Sequence, residues 1–227
     1  MIKAVVFDLD GTLVPFTLDV NKCRTQIIQS LIEQKFPSSL FSTKETAFDM
    51  LLKIKKYLKT KGFEDQNFIT IKKMVFSTVE QFELKAAKTT KIFAGIPETL
   101  KALRDMNLKL ALCTISGEKA TDQILNRFDI KHYFEVVIPR ESVLAVKPNP
   151  LHLKAALAQL NARYHEVVLV GDSVNDMTCA YHLKVIAIGV TTGLSSKEQL
   201  IEAGAHYVIS SVNDLTKLIP EVNKQLS

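Results

Sequence analysis

The chain has 227 residues, 47% hydrophobic and 23% charged, an ordinary balance for a globular protein able to bury a core without staples. No apolar run approaches the roughly 18 residues a membrane span needs, and the single lysine and short β-branched run at the start are unlike a signal peptide. Three scattered cysteines, Cys23, Cys113 and Cys179, imply neither a disulfide framework nor a paired metal site, so a reducing, cytoplasmic setting away from membranes is expected.

The first apolar run, IKAVVF at 2–7, is continuous rather than alternating and predicts a strand buried on both faces. It ends in Asp8-Leu9-Asp10-Gly11-Thr12. Along an extended backbone the Asp8 and Asp10 side chains share one side, with Leu9 opposite. Gly11 permits a turn that other residues resist. Two like charges at the end of a buried strand repel each other and are costly to desolvate, so something cationic must compensate them. The blander reading, a polar turn closing a strand, suits one Asp before a Gly better than two.

Residues 17–90 change character. Val20, Cys23, Ile27 and Leu31 follow a helical stripe, as do Ala47, Leu51, Ile54 and Leu58, then Phe68, Val75, Val79 and Phe82. Three or four helices are predicted. Residues 16–91 hold 14 of the 29 Lys and Arg but only 8 of the 24 Asp and Glu. Lys55, Lys56 and Lys59 fall opposite the apolar stripe, with no aromatic interleaving and no nucleic-acid motif, so they read as a solvated face. No nucleic-acid partner is expected. The same positive charge can steer anionic substrates.

After Ala94-Gly95-Ile96-Pro97 a strand–helix alternation sets in. Strands are predicted at LKLALCT (108–114), FEVVI (134–138), EVVLVG (166–171), VIAIGV (185–190) and HYVIS (206–210). Helical spacing runs from Pro97 to about Met106, from Glu118 to Phe128 and from Pro150 to Leu160. The pattern predicts an α/β fold: a Rossmann-like, mostly parallel sheet core over 1–15 and 92–227, interrupted by a helical domain at 16–91. Chemistry in such sheets gathers beyond the carboxyl ends of the strands.

Gly171-Asp172-Ser173-Val174-Asn175-Asp176 follows the strand EVVLV. Asp172 falls at the strand's end and Asp176 in the first turn of the next helix; alone, the stretch reads as a helix N-cap. Beside Asp8 and Asp10, three or four carboxylates converging at strand ends call for a hard divalent cation, naturally Mg²⁺. Thr114 and Ser116 follow LKLALC and offer hydroxyl donors to a phosphoryl oxygen, and Lys147 precedes Pro148 and Pro150 on a rigid turn. Singly, such a Thr is more often structural and such a Lys more often on the surface. His152, His165, His182 and His206 lack metal-ligand spacing and read as structural or surface groups.

Taken together, DLDGTLV (8–14), CTISG (113–117), VKPNP (146–150) and GDSVND (171–176) resemble the four ordered motifs of the haloacid dehalogenase superfamily of phosphohydrolases, across nearly the whole chain. The helical insertion is similar to the cap domain of its phosphoglycolate phosphatase-like branch, and IFAGIPETL (92–100) to that branch's return from cap to core. The resemblance implies that Asp8 is the nucleophile, forming an aspartyl-phosphate, and that Asp10 is the general acid and then base. It implies that Thr114, Ser116 and Lys147 hold the phosphate, and that Mg²⁺ is bound by Asp8, the Asp10 carbonyl and Asp172, with Asp176 a ligand directly or through water. The function implied is Mg²⁺-dependent hydrolysis of a small phosphate monoester, a phosphorylated metabolite. A phosphosugar mutase of the β-phosphoglucomutase type retains both acids. A 2-haloacid dehalogenase needs neither metal nor Asp10, and a non-catalytic binding protein needs none of these groups. Ile115 stands where many relatives of the branch carry Asn, and Pro15-Phe16 where they carry small or acidic residues. The substrate and the oligomeric state are not encoded in these motifs.

Overall fold

The computed structural model describes residues 1–62 and 65–226. In chain order the elements are β1 (Ala4–Phe7), α1 (Val20–Glu33), α2 (Ala47–Thr60), α3 (Asp65–Thr89), α4 (Ile96–Asp105), β2 (Lys109–Cys113), α5 (Glu118–Arg127), β3 (Val136–Ile138), α6 (Pro150–Leu160), β4 (Val167–Gly171), α7 (Val174–Leu183), β5 (Ile186–Val190), α8 (Lys197–Glu202), β6 (Tyr207–Ile209) and α9 (Leu215–Gln225). They divide into two compact units, Met1–Thr17 with Ala87–Ser227, and Leu18–Ala86.

The first unit is built on one sheet. All six strands are parallel, in the order β3-β2-β1-β4-β5-β6. Strand β1 lies in the middle, with Phe7 in register with Leu112 on one side and Val170 on the other. That position explains its unbroken apolar sequence: all four residues, Ala4 to Phe7, are fully buried, as a strand covered on both faces requires. One face packs Ala4, Val6, Ala111, Cys113, Leu169 and Ala187 against Leu153, Ala156 and Leu157 of α6 and Met177 and Ala180 of α7. Cys113 and Cys179 are buried in this cluster, and burial pushes both thiols well above their usual range, so they act as small apolar groups.

Helix starts in this unit are encoded locally. Gly95 takes a left-handed conformation (φ +78°) directly before α4, whose first turn contains Pro97. Asn149 accepts from the Leu151 N–H and Pro150 opens α6. Ser173 and Asp176 form a reciprocal capping box at the start of α7. The chain order reverses between β1 and β4, so the loops leaving these neighbouring strands diverge, which opens a crevice beyond their carboxyl ends.

The second unit is helical. Cys23, Ile27 and Leu31 of α1, Met50, Leu51, Ile54 and Leu58 of α2, and Ile71, Val75 and Val79 of α3 form its core. The α2 start is fixed by a Thr46–Asp49 capping box. Lys55, Lys56 and Lys59 are exposed, as the stripe opposite them demands. Among the described residues no helix is long and apolar enough to cross a membrane.

Candidate active site

Asp8 follows β1 directly, and its N–H still donates to the Val170 carbonyl at 2.9 Å. Asp172 follows β4 directly. Because β1 and β4 are paired neighbours, the two carboxylates arrive together at the switch point. Behind Asp8 the chain turns sharply: the Gly11 N–H donates to Val14 O at 2.6 Å and the Leu13 N–H to Leu9 O at 2.8 Å. Gly11 has φ +85°, a left-handed conformation that disfavours a Cβ.

Asp176, third residue of α7, completes the group. Its Oδ2 accepts from Ser173 Oγ at 2.5 Å and from the Ser173 N–H at 3.2 Å. Its Oδ1 accepts from Lys147 Nζ at 2.5 Å, and the same ammonium donates to Asp8 Oδ1 at 2.7 Å. Lys147 sits on the turn between β3 and α6, before a cis Pro148, with a side chain only 2% exposed.

The charges do not balance. Asp8, Asp172 and Asp176 are all buried and offer oxygens within 4.8 Å of one another, against the one ammonium of Lys147. Burial pushes Asp8 up to about 7, against the pull of Lys147, with Asp176 and Asp172 adding to the rise. Burial and then Asp176 raise Asp172 to about 6. Burial also works against the charge on Lys147, but Asp176 and Asp8 outweigh it and hold the ammonium protonated. This cluster of buried carboxylate oxygens could hold a metal ion.

Ser116 and Thr114 lie on the loop after β2. Thr114 is fully buried, and its Oγ1 accepts from the Ser116 N–H at 3.1 Å, which leaves its own hydroxyl hydrogen to donate. The Ser116 hydroxyl donates to Asp10 Oδ2 at 2.6 Å. Asp10 itself is half-buried. Two groups that motif reading passed over support this loop. The buried Arg140 donates through its N–H to Ser116 O at 3.1 Å and through Nη1 to Ile115 O at 3.2 Å. Its neighbour Glu141 accepts from the Glu118 N–H at 2.9 Å.

His152 is fully buried and secures the Lys147 turn. Its Nδ1 accepts from the Lys147 N–H at 3.2 Å, so Nε2 carries the hydrogen and donates to Ile138 O at 3.1 Å. Burial, and then the nearby Lys147 ammonium, lower its pKa to about 4. The ring is a neutral strut between β3 and the catalytic-side turn. A lone His in an apolar helix carries no sign of this in the sequence.

The sequence model of the haloacid dehalogenase-like hydrolases matches residues 5–190. The chain belongs to this family. It is an enzyme of the phosphatase kind. A phosphoglycolate phosphatase of Nitrosospira multiformis is 26% identical over 219 residues, 96% of each chain. Pyrophosphatase PpaX of Halalkalibacterium halodurans is also 26% identical, over 96% of this chain and 97% of its own length. The crystal structure of a β-phosphoglucomutase from Clostridium difficile superposes with a TM-score of 0.71 over all of this chain and 99% of that one, at 19% identity. At that identity the likeness concerns the fold, here the haloacid dehalogenase fold with its parallel sheet.

Proposed function

We propose that this hydrolase is a Mg²⁺-dependent phosphatase that cleaves a small phosphate monoester through an aspartyl-phosphate on Asp8. The observation that carries the reading is the buried Asp8–Lys147–Asp176 ion triad with Asp172 alongside it. A carboxylate nucleophile must meet an anionic phosphate, and the Lys147 ammonium together with a cation held by the carboxylates would supply the positive charge that permits the approach.

Asp8, Asp172, Asp176 and the Asp10 carbonyl are the groups that would hold the cation. When bound, Mg²⁺ supplies positive charge to the phosphoryl oxygens and offsets the three carboxylates. The chain's own groups do the rest. Lys147 fixes the Asp8 carboxylate through Nζ and presents its charge to the phosphoryl group. Thr114 donates its hydroxyl to a phosphoryl oxygen. An Asp8 oxygen forms a bond to phosphorus as the ester oxygen leaves, and Asp10 gives that oxygen its proton. Asp10 then takes a proton from water, whose oxygen attacks phosphorus and releases Asp8. Ser116 holds Asp10 in place for both transfers.

We assign residues 16–91 the role of cap domain and the enzyme to the cytoplasm. The names of the relatives put 2-phosphoglycolate and pyrophosphate first among substrates to be tested. The mutase reading differs only in the acceptor, a sugar hydroxyl in place of water.

Acid-quenching the enzyme during turnover and mapping phosphorylated peptides by mass spectrometry tests the scheme. The phosphoryl group is expected on the peptide containing Asp8, and absent from the Asp8→Asn variant. Turnover with no phosphorylated Asp8 peptide contradicts it.

A further inference from the structure

We propose that the loop after β5, residues 192–195, positions Asp172 in the divalent-metal site, with Gly193 and Thr192 as its working residues. The proposal rests on the metal-site reading above. None of the four motifs includes this loop; its bonds are what single it out. The Leu194 N–H donates to Asp172 Oδ2 at 2.7 Å, and the Ser195 N–H donates to the Asp172 carbonyl at 3.2 Å. Ser195 Oγ then accepts from the Val174 N–H at 3.3 Å, satisfying a first-turn donor of α7. The loop thus holds Asp172 by side chain and backbone, and ties it to the helix that carries Asp176.

Thr192 makes the third connection. Its Oγ1 donates to the Gly11 carbonyl at 2.6 Å, which links the loop to the turn after Asp8 and Asp10. Two strands, β1 and β4, supply the acids, and a loop from the next strand, β5, sets their spacing.

The glycines show how closely this is fitted. A Cβ built on Gly193 would overlap the Asp172 carboxylate, and so would one built on Gly11. The carboxylate therefore lies in a slot with backbone on two sides. Gly11 has φ +85° and is required by conformation as well as by space. Gly193 has no positive φ, so a side chain there is opposed by space, with the Asp172 side chain from Cβ to Oδ2 nearest. Substitution at 193 presses on the Asp172 side chain without forcing a left-handed backbone at 193, which makes it a probe of where that side chain sits. Divalent cations with short oxygen distances tolerate such displacement poorly.

The test is Mn²⁺ binding to the full chain, read from loss of the free-ion electron paramagnetic resonance signal, for wild type, Gly193→Ala, Thr192→Val and Thr192→Ser. Far-UV circular dichroism reports whether each variant folds. The expected result is a Kd for Mn²⁺ raised at least ten-fold by Gly193→Ala and several-fold by Thr192→Val, with Thr192→Ser close to wild type. A loop that only supports the fold would change the unfolding midpoint in these variants and leave the Kd alone. Wild-type Kd values in folded Gly193→Ala and Thr192→Val overturn the proposal. If Gly193→Ala does not fold, the Thr192 pair decides by the same criterion. A wild-type protein that binds no Mn²⁺ overturns the metal-site reading itself, and the loop's role with it.

Discussion

Replacing Lys147 by Met removes the one ammonium shared by Asp8 and Asp176 while nearly preserving side-chain length. At 2.7 Å and 2.5 Å the gross attraction is about 6 kcal/mol per pair at an effective dielectric of 20. Most of that is cancelled by the cost of dehydrating the ions, but removing one partner strands the others. The net loss for a broken buried pair is about 3–5 kcal/mol. The loss must depend on pH. Without the ammonium, the carboxylates escape the penalty by taking up protons, which is easy at pH 5 and unfavourable at pH 8. Asp8, already raised to about 7 beside Lys147, rises further in the variant. Urea unfolding of metal-free wild type and Lys147→Met at pH 5 and pH 8 measures this. The expected deficit is about 3–5 kcal/mol at pH 8 and shrinks to about 1 kcal/mol at pH 5. Equal deficits at both pH values, or none at pH 8, would refute the charge argument.

Three further outcomes are expected. His152 has its folded-state pKa lowered from 6.5 to about 4, so the folded state binds fewer protons than the unfolded chain across that window. Its contribution to stability is complete above 6.5 and falls by about 3 kcal/mol as pH drops to 4. The raised Asp8 and Asp172 act in the opposite sense, so the difference between wild type and His152→Gln, followed by urea unfolding from pH 7 to 4, isolates the effect; parallel curves would contradict it. Ser116→Ala frees the Asp10 carboxylate from its hydroxyl donor and is expected to lower kcat about ten-fold, part of what a general acid supplies, while Ser116→Thr restores it. Leu100, fully buried in α4, should cost about 2–5 kcal/mol of unfolding free energy as Ala, with kcat at 25 °C within two-fold of wild type.

Much of the fold could be read from the chain because parallel strands buried on both faces must be continuously apolar. IKAVVF, LKLALCT and EVVLVG carry that signature, and the structure places β1, β2 and β4 within them. The amphipathic stripes of 17–90 were equally plain. The last two helices left weaker traces. Helix α8 has only six residues, and α9 contains Pro220 in its interior, which argues against a helix in sequence terms. Asp8, Lys147, Asp172 and Asp176 stand out because carboxylates and an ammonium beside apolar runs need a reason, and the structure brings these four together. The groups that hold them do not stand out. His152 acts through a ring nitrogen on a backbone N–H, Arg140 through carbonyls of another loop, and Gly193 through the absence of a side chain. Each depends on the pairing of distant strands. The Ser116–Asp10 hydrogen bond has no sequence signature either, because it depends on the turn of the loop after β2.

The most direct test of the central claim is phosphate release from a panel of phosphate esters, headed by 2-phosphoglycolate with pyrophosphate alongside. Wild type and Asp8→Asn would be compared in Mg²⁺ and again in EDTA. Turnover by wild type in Mg²⁺, its loss in EDTA, and a fall of at least a thousand-fold in Asp8→Asn are expected. Release that survives both EDTA and the Asp8 substitution, or no release from any ester by folded, Mg²⁺-loaded wild type, would contradict it.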